Sequence, residues 1–196
     1  MKVGIIADIH GDSEALRLAL DILQSNGVAQ IVCAGDIVDK GPDNTEAASL
    51  LQRTSIHCIA GNHDHDEQYI GSLEEDTASY LRGLPNTLRF TWENKRVLLA
   101  HASPWSDFVR ILPTSERHVL KRVAREANAD IVILGHTHVP LVAHVGTTWI
   151  FNPGSICGRY TSGTSTCAIL MLPNIEFQVF HLDSGQPLQV PLTRIY

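Results

Sequence analysis

Short apolar runs separated by polar turns fill the first two-thirds of the chain, and their spacing predicts alternating strands and helices. Val3 to Ala7 reads as a buried strand. From Ser13 to Gln24, Leu16, Leu20 and Leu23 recur at helical spacing, Ala15 and Ala19 widen the stripe, and Gly27 closes it. Ile31 to Ala34 reads as a second buried strand, Glu46 to Gln52 as a second helix and Ile56 to Ala60 as a third strand. Ser72-Leu73-Glu74-Glu75 has the form of a capping box, opening a helix to about Leu81 that Leu84-Pro85 stops. Thr87 to Trp92 and Arg96 to Ala100 flank Glu93-Asn94-Lys95 as an antiparallel hairpin. An irregular stretch, Ser103 to Pro113, leads to a helix from about Ser115 to Ala127 and a buried strand from Ile131 to Leu134.

Beyond Pro140 the helical period disappears. Leu141 to Val145, Thr148 to Phe151, Thr166 to Leu172 and Ile175 to His181 read as a β meander, with turns at Gly146-Thr147 and Pro173-Asn174. Strands with crossover helices followed by strands alone predict two sheets packed face to face with helices outside. No repeat, low-complexity tract or long Gly/Ser linker interrupts the pattern, so residues 1–196 are expected to form a single domain. The tail after Asp183 carries no readable period.

Composition narrows the class of function. With 44% hydrophobic and 18% charged residues over 196 positions, the chain can bury an ordinary core. A formal charge of −6 argues against a broad basic surface, so extended nucleic acid is not an expected partner. No run approaches the roughly 18 apolar residues of a membrane span. Asp8 interrupts the apolar run where a signal peptide would need none. The expectation is a cytoplasmic protein with no membrane partner. Four cysteines form no CxxC pair, and Cys33 and Cys58 lie inside apolar runs; free thiols packed as small hydrophobes are expected.

Candidate chemistry follows five apolar runs. Val3 to Ala7 leads into Asp8-Ile9-His10, Ile31 to Gly35 into Asp36, Ile56 to Gly61 into Asn62-His63-Asp64, Val97 to Ala100 into His101, and Ile131 to Gly135 into His136-Thr137-His138. The carboxyl ends of parallel strands share one edge, so these sets should meet in space. Imidazoles with hard carboxylate and amide oxygens suit borderline divalent ions such as Mn, Fe, Co, Ni or Zn, and no cysteine at these positions points to a closed structural zinc site. Asp8, His10, Asp36, Asn62, His101, His136 and His138 are too many ligands for one ion and suit two ions sharing a carboxylate. Two divalent ions, two aspartates and a bridging hydroxide leave a charge of about +1, which attracts phosphate inside an acidic chain.

In this order, Asp8-x-His10, Gly35-Asp36, Gly61-Asn62-His63-Asp64, His101 and Gly135-His136-x-His138 resemble the motifs of the calcineurin-like metallophosphoesterase superfamily. Asn152-Pro153-Gly154-Ser155 extends the likeness to its small bacterial and archaeal phosphodiesterases. The resemblance implies a four-layer αββα sandwich of two mixed β-sheets flanked by helices. It also implies two divalent transition-metal ions, manganese foremost: Asp8, His10 and His138 on one, Asn62, His101 and His136 on the other, Asp36 bridging. By the same resemblance, hydroxide between the metals attacks in line while His63, a non-ligand, acts as general acid or stabilises the leaving oxygen.

The Gly35-Asp36-Ile37-Val38-Asp39-Lys40-Gly41 loop is closer to that of serine/threonine protein phosphatases and diadenosine tetraphosphatases. That likeness implies that Asp39 orients His63 and that Lys40 stands where an arginine grips phosphate. Lysine offers a point charge rather than a fork. Substrate contacts are thus expected from Asn62, His63 and Lys40. Trp105, Phe108 and Arg159 are further candidates for the substrate side, and His65 for a supporting position. The expected function is hydrolysis of a small phosphodiester or phosphomonoester. The alternative is a non-catalytic scaffold on the same fold, as in the retromer scaffold subunit. A homodimer would be ordinary for a domain of this size.

Overall fold

β1 (Lys2–Ile6) and the residue after it show how the layers arise. Val3, Ile5 and Ala7 face one apolar cluster and Ile6 faces another, and all four are fully buried. A strand apolar on both faces must be covered on both faces. The computed structural model describes residues 1–159 and 163–196. β1 is followed by α1 (Ser13–Ser25), β2 (Gln30–Cys33), α2 (Asn44–Gln52) and β3 (His57–Cys58). A 3-10 turn (His63–His65), α3 (Glu67–Ile70) and α4 (Glu75–Arg82) lead to the hairpin β4 (Thr87–Trp92) and β5 (Lys95–Ala100). Then come α5 (Arg117–Ala127), β6 (Ile131–Ile133), β7 (Leu141–Val145), β8 (Thr148–Asn152), β9 (Thr166–Met171), β10 (Glu176–His181), β11 (Pro187–Leu188) and β12 (Leu192–Ile195).

The first sheet has the order β11-β10-β9-β1-β2-β3 and the second β12-β7-β8-β6-β5-β4. Both are mixed. β1, β2 and β3 run parallel in one, and β5, β6 and β8 run parallel in the other. Between the sheets lies a dry layer of Val3, Ile5, Val32, Leu99, Ile133, Phe151 and Leu170. Phe151 is wholly buried there and stacks on Phe177 at 4.4 Å between ring centroids. Leu16 and Leu23 of α1 and Leu51 of α2 cover the first sheet, while Leu120 and Val123 of α5 cover the second. The result is the four-layer α/β sandwich anticipated above. Among the described residues no helix is long and apolar enough to cross a membrane.

Several local expectations are corrected. β3 is only two residues long, because Ala60 turns its N–H to the Pro85 carbonyl (2.9 Å) instead of continuing the ladder. The Ser72 box does not form: its hydroxyl donates to the Tyr69 carbonyl at 2.9 Å, and α4 starts only at Glu75. The β4–β5 turn is Glu93-Asn94, both at positive φ, with Lys95 already paired to Trp92. The meander is two hairpins in different sheets, β7–β8 in the second and β9–β10 in the first. The unpatterned tail supplies β11 and β12, an outer strand for each sheet.

Candidate active site

The parallel strands deliver the polar residues to one edge. β1 ends just before Asp8 and His10, β2 before Asp36, β5 at His101 and β6 before His136 and His138. Asp8, His10, Asp36, His136 and His138 all have positive φ, between 48° and 66°. Such conformations cost non-glycine residues roughly 1–3 kcal/mol each and persist where the surroundings impose them. Here the loops brace one another. Ile9 and His10 donate their N–H groups to the Asp36 carbonyl at 2.8 and 2.9 Å, and Asp8 donates to the Gly35 carbonyl. A side chain on Gly61 would strike the Asp36 Oδ1 at 2.2 Å, so only glycine lets these two loops touch.

Asp64, fully buried, ties the same loops. Its carboxylate accepts from Ile37 (2.8 Å), Val38 (3.0 Å) and Gly61 (2.9 Å). Burial, with Asp36 nearby, pushes it up to about 6. On the opposite side the buried Asn152 amide donates to the Gly135 carbonyl at 2.6 Å and to Thr137 at 3.2 Å. Ser155 donates to the Asp8 carbonyl at 2.9 Å. The Asn152–Ser155 turn is therefore a brace for the histidine loop.

The side chains then converge on a cavity of about 390 Å³ lined by His10, Asp36, His63, Arg110, His136, Thr137 and His138. Asp36 Oδ2 lies 3.3 Å from His101 Nε2 and 3.7 Å from His10 Nε2. His101 Nδ1–H donates to the Ala34 carbonyl at 2.7 Å, which turns Nε2 inward towards Asp36 and Asn62. His138 Nδ1–H donates to the Arg159 carbonyl at 2.8 Å, which leaves its Nε2 as a lone pair. That lone pair sits 3.0 Å from His10 Nε2. The Asn62 Oδ1 lies 2.9 Å from His136 Nδ1 and 3.1 Å from His101 Nε2. Asp8 Oδ2 is buried without a hydrogen-bond partner. A buried carboxylate oxygen without a partner is costly unless a cation lies beside it. The donor set therefore fits metal. Compact groups of ligand atoms are His10, Asp36 and His63; Asp36, His101 and His136; and His10, His138 and Cys157.

Burial holds His10 and His136 down at about 4, and His138 below its ordinary value, which favours the neutral imidazole at each. Burial opposes charge on His101 too, but the Asp36 and Asp8 carboxylates outweigh it and raise it to about 9. Burial works against Asp36 ionisation as well, yet His101 and His10 hold it well below the usual carboxylate range. Asp39 Oδ1 lies 3.3 Å from His63 Nδ1, and its Oδ2 lies 3.2 Å from His10 Nδ1. It links the histidine at the mouth to one on the floor.

Other candidates sit further out. Lys40 is exposed and outside the cavity lining. Trp105 packs beside the α5 cluster under the Arg122 guanidinium, 4.0 Å from its ring centre. Phe108 is 72% exposed, and its backbone carbonyl accepts from the His136 ring. Arg159 reaches His138 through its carbonyl, while its guanidinium donates to the Lys40 carbonyl at 3.1 Å. His65 pairs with Asn86 at the surface. Three residues escape a motif reading. Arg110 lies in an irregular stretch, Asp64 sits inside a motif without an obvious task, and Cys157 looks like one more small apolar residue.

A family model described as the calcineurin-like phosphoesterase superfamily domain matches residues 1–174. A phosphodiesterase of Methanocaldococcus jannaschii is 24% identical over 191 residues, covering 93% of this chain and 100% of the relative. A hypothetical protein from Pyrococcus horikoshii superposes with a TM-score of 0.76 at 22% identity, covering 92% of this chain and 87% of that one. Zinc-complexed Vps29 from Entamoeba histolytica superposes with a TM-score of 0.64 at 22% identity, covering 96% of each chain. The match over most of the length, on the motifs that converge here, means that this chain belongs to the calcineurin-like phosphoesterase superfamily.

Proposed function

We propose that the chain is a two-metal phosphoesterase acting, as a single cytoplasmic domain, on a small phosphodiester or phosphomonoester. The observation that carries this reading is Asp36, one carboxylate within 3.7 Å of imidazoles from both halves of the site. Asp8, His10 and His138 would hold one ion, and Asn62, His101 and His136 the other, with Asp36 shared. Manganese is the first candidate, and iron, nickel, cobalt or zinc suit the same donors. When bound, the pair supplies Lewis acidity and makes water a nucleophile near neutral pH.

The protein's own groups do the rest. His63, a third exposed at the cavity mouth, gives a proton to the leaving oxygen, and Asp39, 3.3 Å from its Nδ1, holds the ring. Asn62 and His63 meet the phosphoryl group. Arg110 forms no ion pair among the described residues and lines the cavity, so its guanidinium is available to a phosphate oxygen, with Lys40 as a more distant charge.

The test is initial rates on a chromogenic phosphodiester and its monoester, with metal-stripped protein before and after added manganese. Metal-dependent turnover is expected, and the ratio of the two rates separates phosphodiesterase from phosphatase. Folded, metal-loaded protein without turnover on either ester would overturn the reading and favour a scaffold role, to which the likeness to Vps29 lends the fold.

A further inference from the structure

Three of the four cysteines behave as the sequence suggests. Cys33, Cys58 and Cys167 lie in the apolar layer under α1, α2 and α4. Cys157 belongs to none of the apolar clusters. Its Sγ lies within 4.8 Å of a ring nitrogen of His10 and one of His138, which are themselves within that distance of each other.

The backbone fixes it there. Ile156 donates to the Ala7 carbonyl at 3.0 Å and Cys157 to the Asp8 carbonyl at 3.3 Å, so the segment runs along the end of β1. The Ser155 hydroxyl sits 3.3 Å from the sulfur. Two residues on, the Arg159 carbonyl orients His138. One short stretch thus presents a thiol and aims a neighbouring imidazole at the same point. Independently, Asp8 Oδ2 is wholly buried with no hydrogen-bond partner, while Oδ1 of the same carboxylate lies 3.6 Å from His138 Nε2. Two imidazole nitrogens and a sulfur thus gather within 4.8 Å of one another, and the Asp8 carboxylate lies against the same His138 ring.

We infer that Cys157 is a further metal ligand of this centre, a thiolate donor beside Asp8, His10 and His138. This rests on the metal-centre reading above. Coordination would cost the thiol its proton, which leaves to solvent, and would form one sulfur–metal bond. A soft thiolate favours zinc over manganese and donates charge to the ion.

The experiment is reconstitution of metal-stripped protein with cobalt(II), followed by absorption spectroscopy of wild type, Cys157→Ser and Cys157→Ala, with bound cobalt measured in each. A thiolate-to-cobalt charge-transfer band is expected in wild type and absent in both variants. Zinc affinity in Cys157→Ser should fall by on the order of 10–100-fold, with manganese affinity nearly unchanged. Bound cobalt without that band in wild type, or a band that survives both substitutions, would overturn the inference while leaving the metal centre standing. Failure to bind cobalt at all would overturn the centre itself, and the inference with it. X-ray absorption of the zinc-loaded wild type reads the same bond without a variant, and must find one sulfur scatterer.

Discussion

The two halves of the site use the same kinds of side chain, yet burial lowers the imidazoles of one while His101 in the other is raised. Around His10 and His138, burial and neighbouring imidazoles lower both rings below their ordinary value. Across the cavity, His101 is more deeply buried and yet holds its proton up to about 9. His101 faces Asp36 at 3.3 Å, with Asp8 adding to it. His10, 3.7 Å from Asp36 and 3.2 Å from Asp39, also faces the His138 and His63 rings, which work with burial to lower it. Burial alone lowers a histidine, and a carboxylate in the same dry space reverses the sign.

Substitutions can break this comparison in order of effect. Asp36→Asn removes the group shared by both halves, and turnover on the chromogenic diester should fall by at least about 10³-fold while circular dichroism stays native. His63→Asn touches neither half's proposed ligands. It should lower kcat by about 10²–10³-fold on poor leaving groups and much less on nitrophenolate, which needs little protonation. A plot of rate against leaving-group pKa checks that.

The pH dependence sharpens the same contrast. His101 has a folded value of about 9 against 6.5 unfolded, so its contribution is fully present below about pH 6.5 and is lost as pH rises through 9. Metal-free protein should therefore lose about 3 kcal/mol of stability over that window, measured by urea unfolding. Metal affinity should rise over the same window, since the His101 proton must leave first. The smallest effect is expected of Arg110→Ala, an exposed cation: KM rises about tenfold with kcat little changed.

Much of this arrangement was legible in residues. The placement of Asp8, Asp36, His101 and His136 just after apolar strands depends only on local hydrophobicity and on the rule that parallel strands share an edge, and both hold here. What escaped was set by packing between distant segments. The length of β3 depends on a carbonyl at Pro85, and the unused Ser72 box on a carbonyl at Tyr69. Arg110 enters the cavity because the stretch around it is pinned at both ends, by Phe108 on His136 and by the buried Ile111. Cys157 reads as a small apolar residue until the Asn152–Ser155 turn brings it to Asp8. The tail resisted reading because β11 and β12 are short outer strands with only one neighbour each.

The central claim is that one carboxylate, Asp36, joins two metal positions. Calorimetric titration of the metal-stripped chain with manganese tests it most directly, with bound metal counted after dialysis. The account predicts two ions per chain in wild type and at most one, weakly held, in Asp36→Asn. A single ion in wild type, or two ions bound equally well by Asp36→Asn, would contradict it.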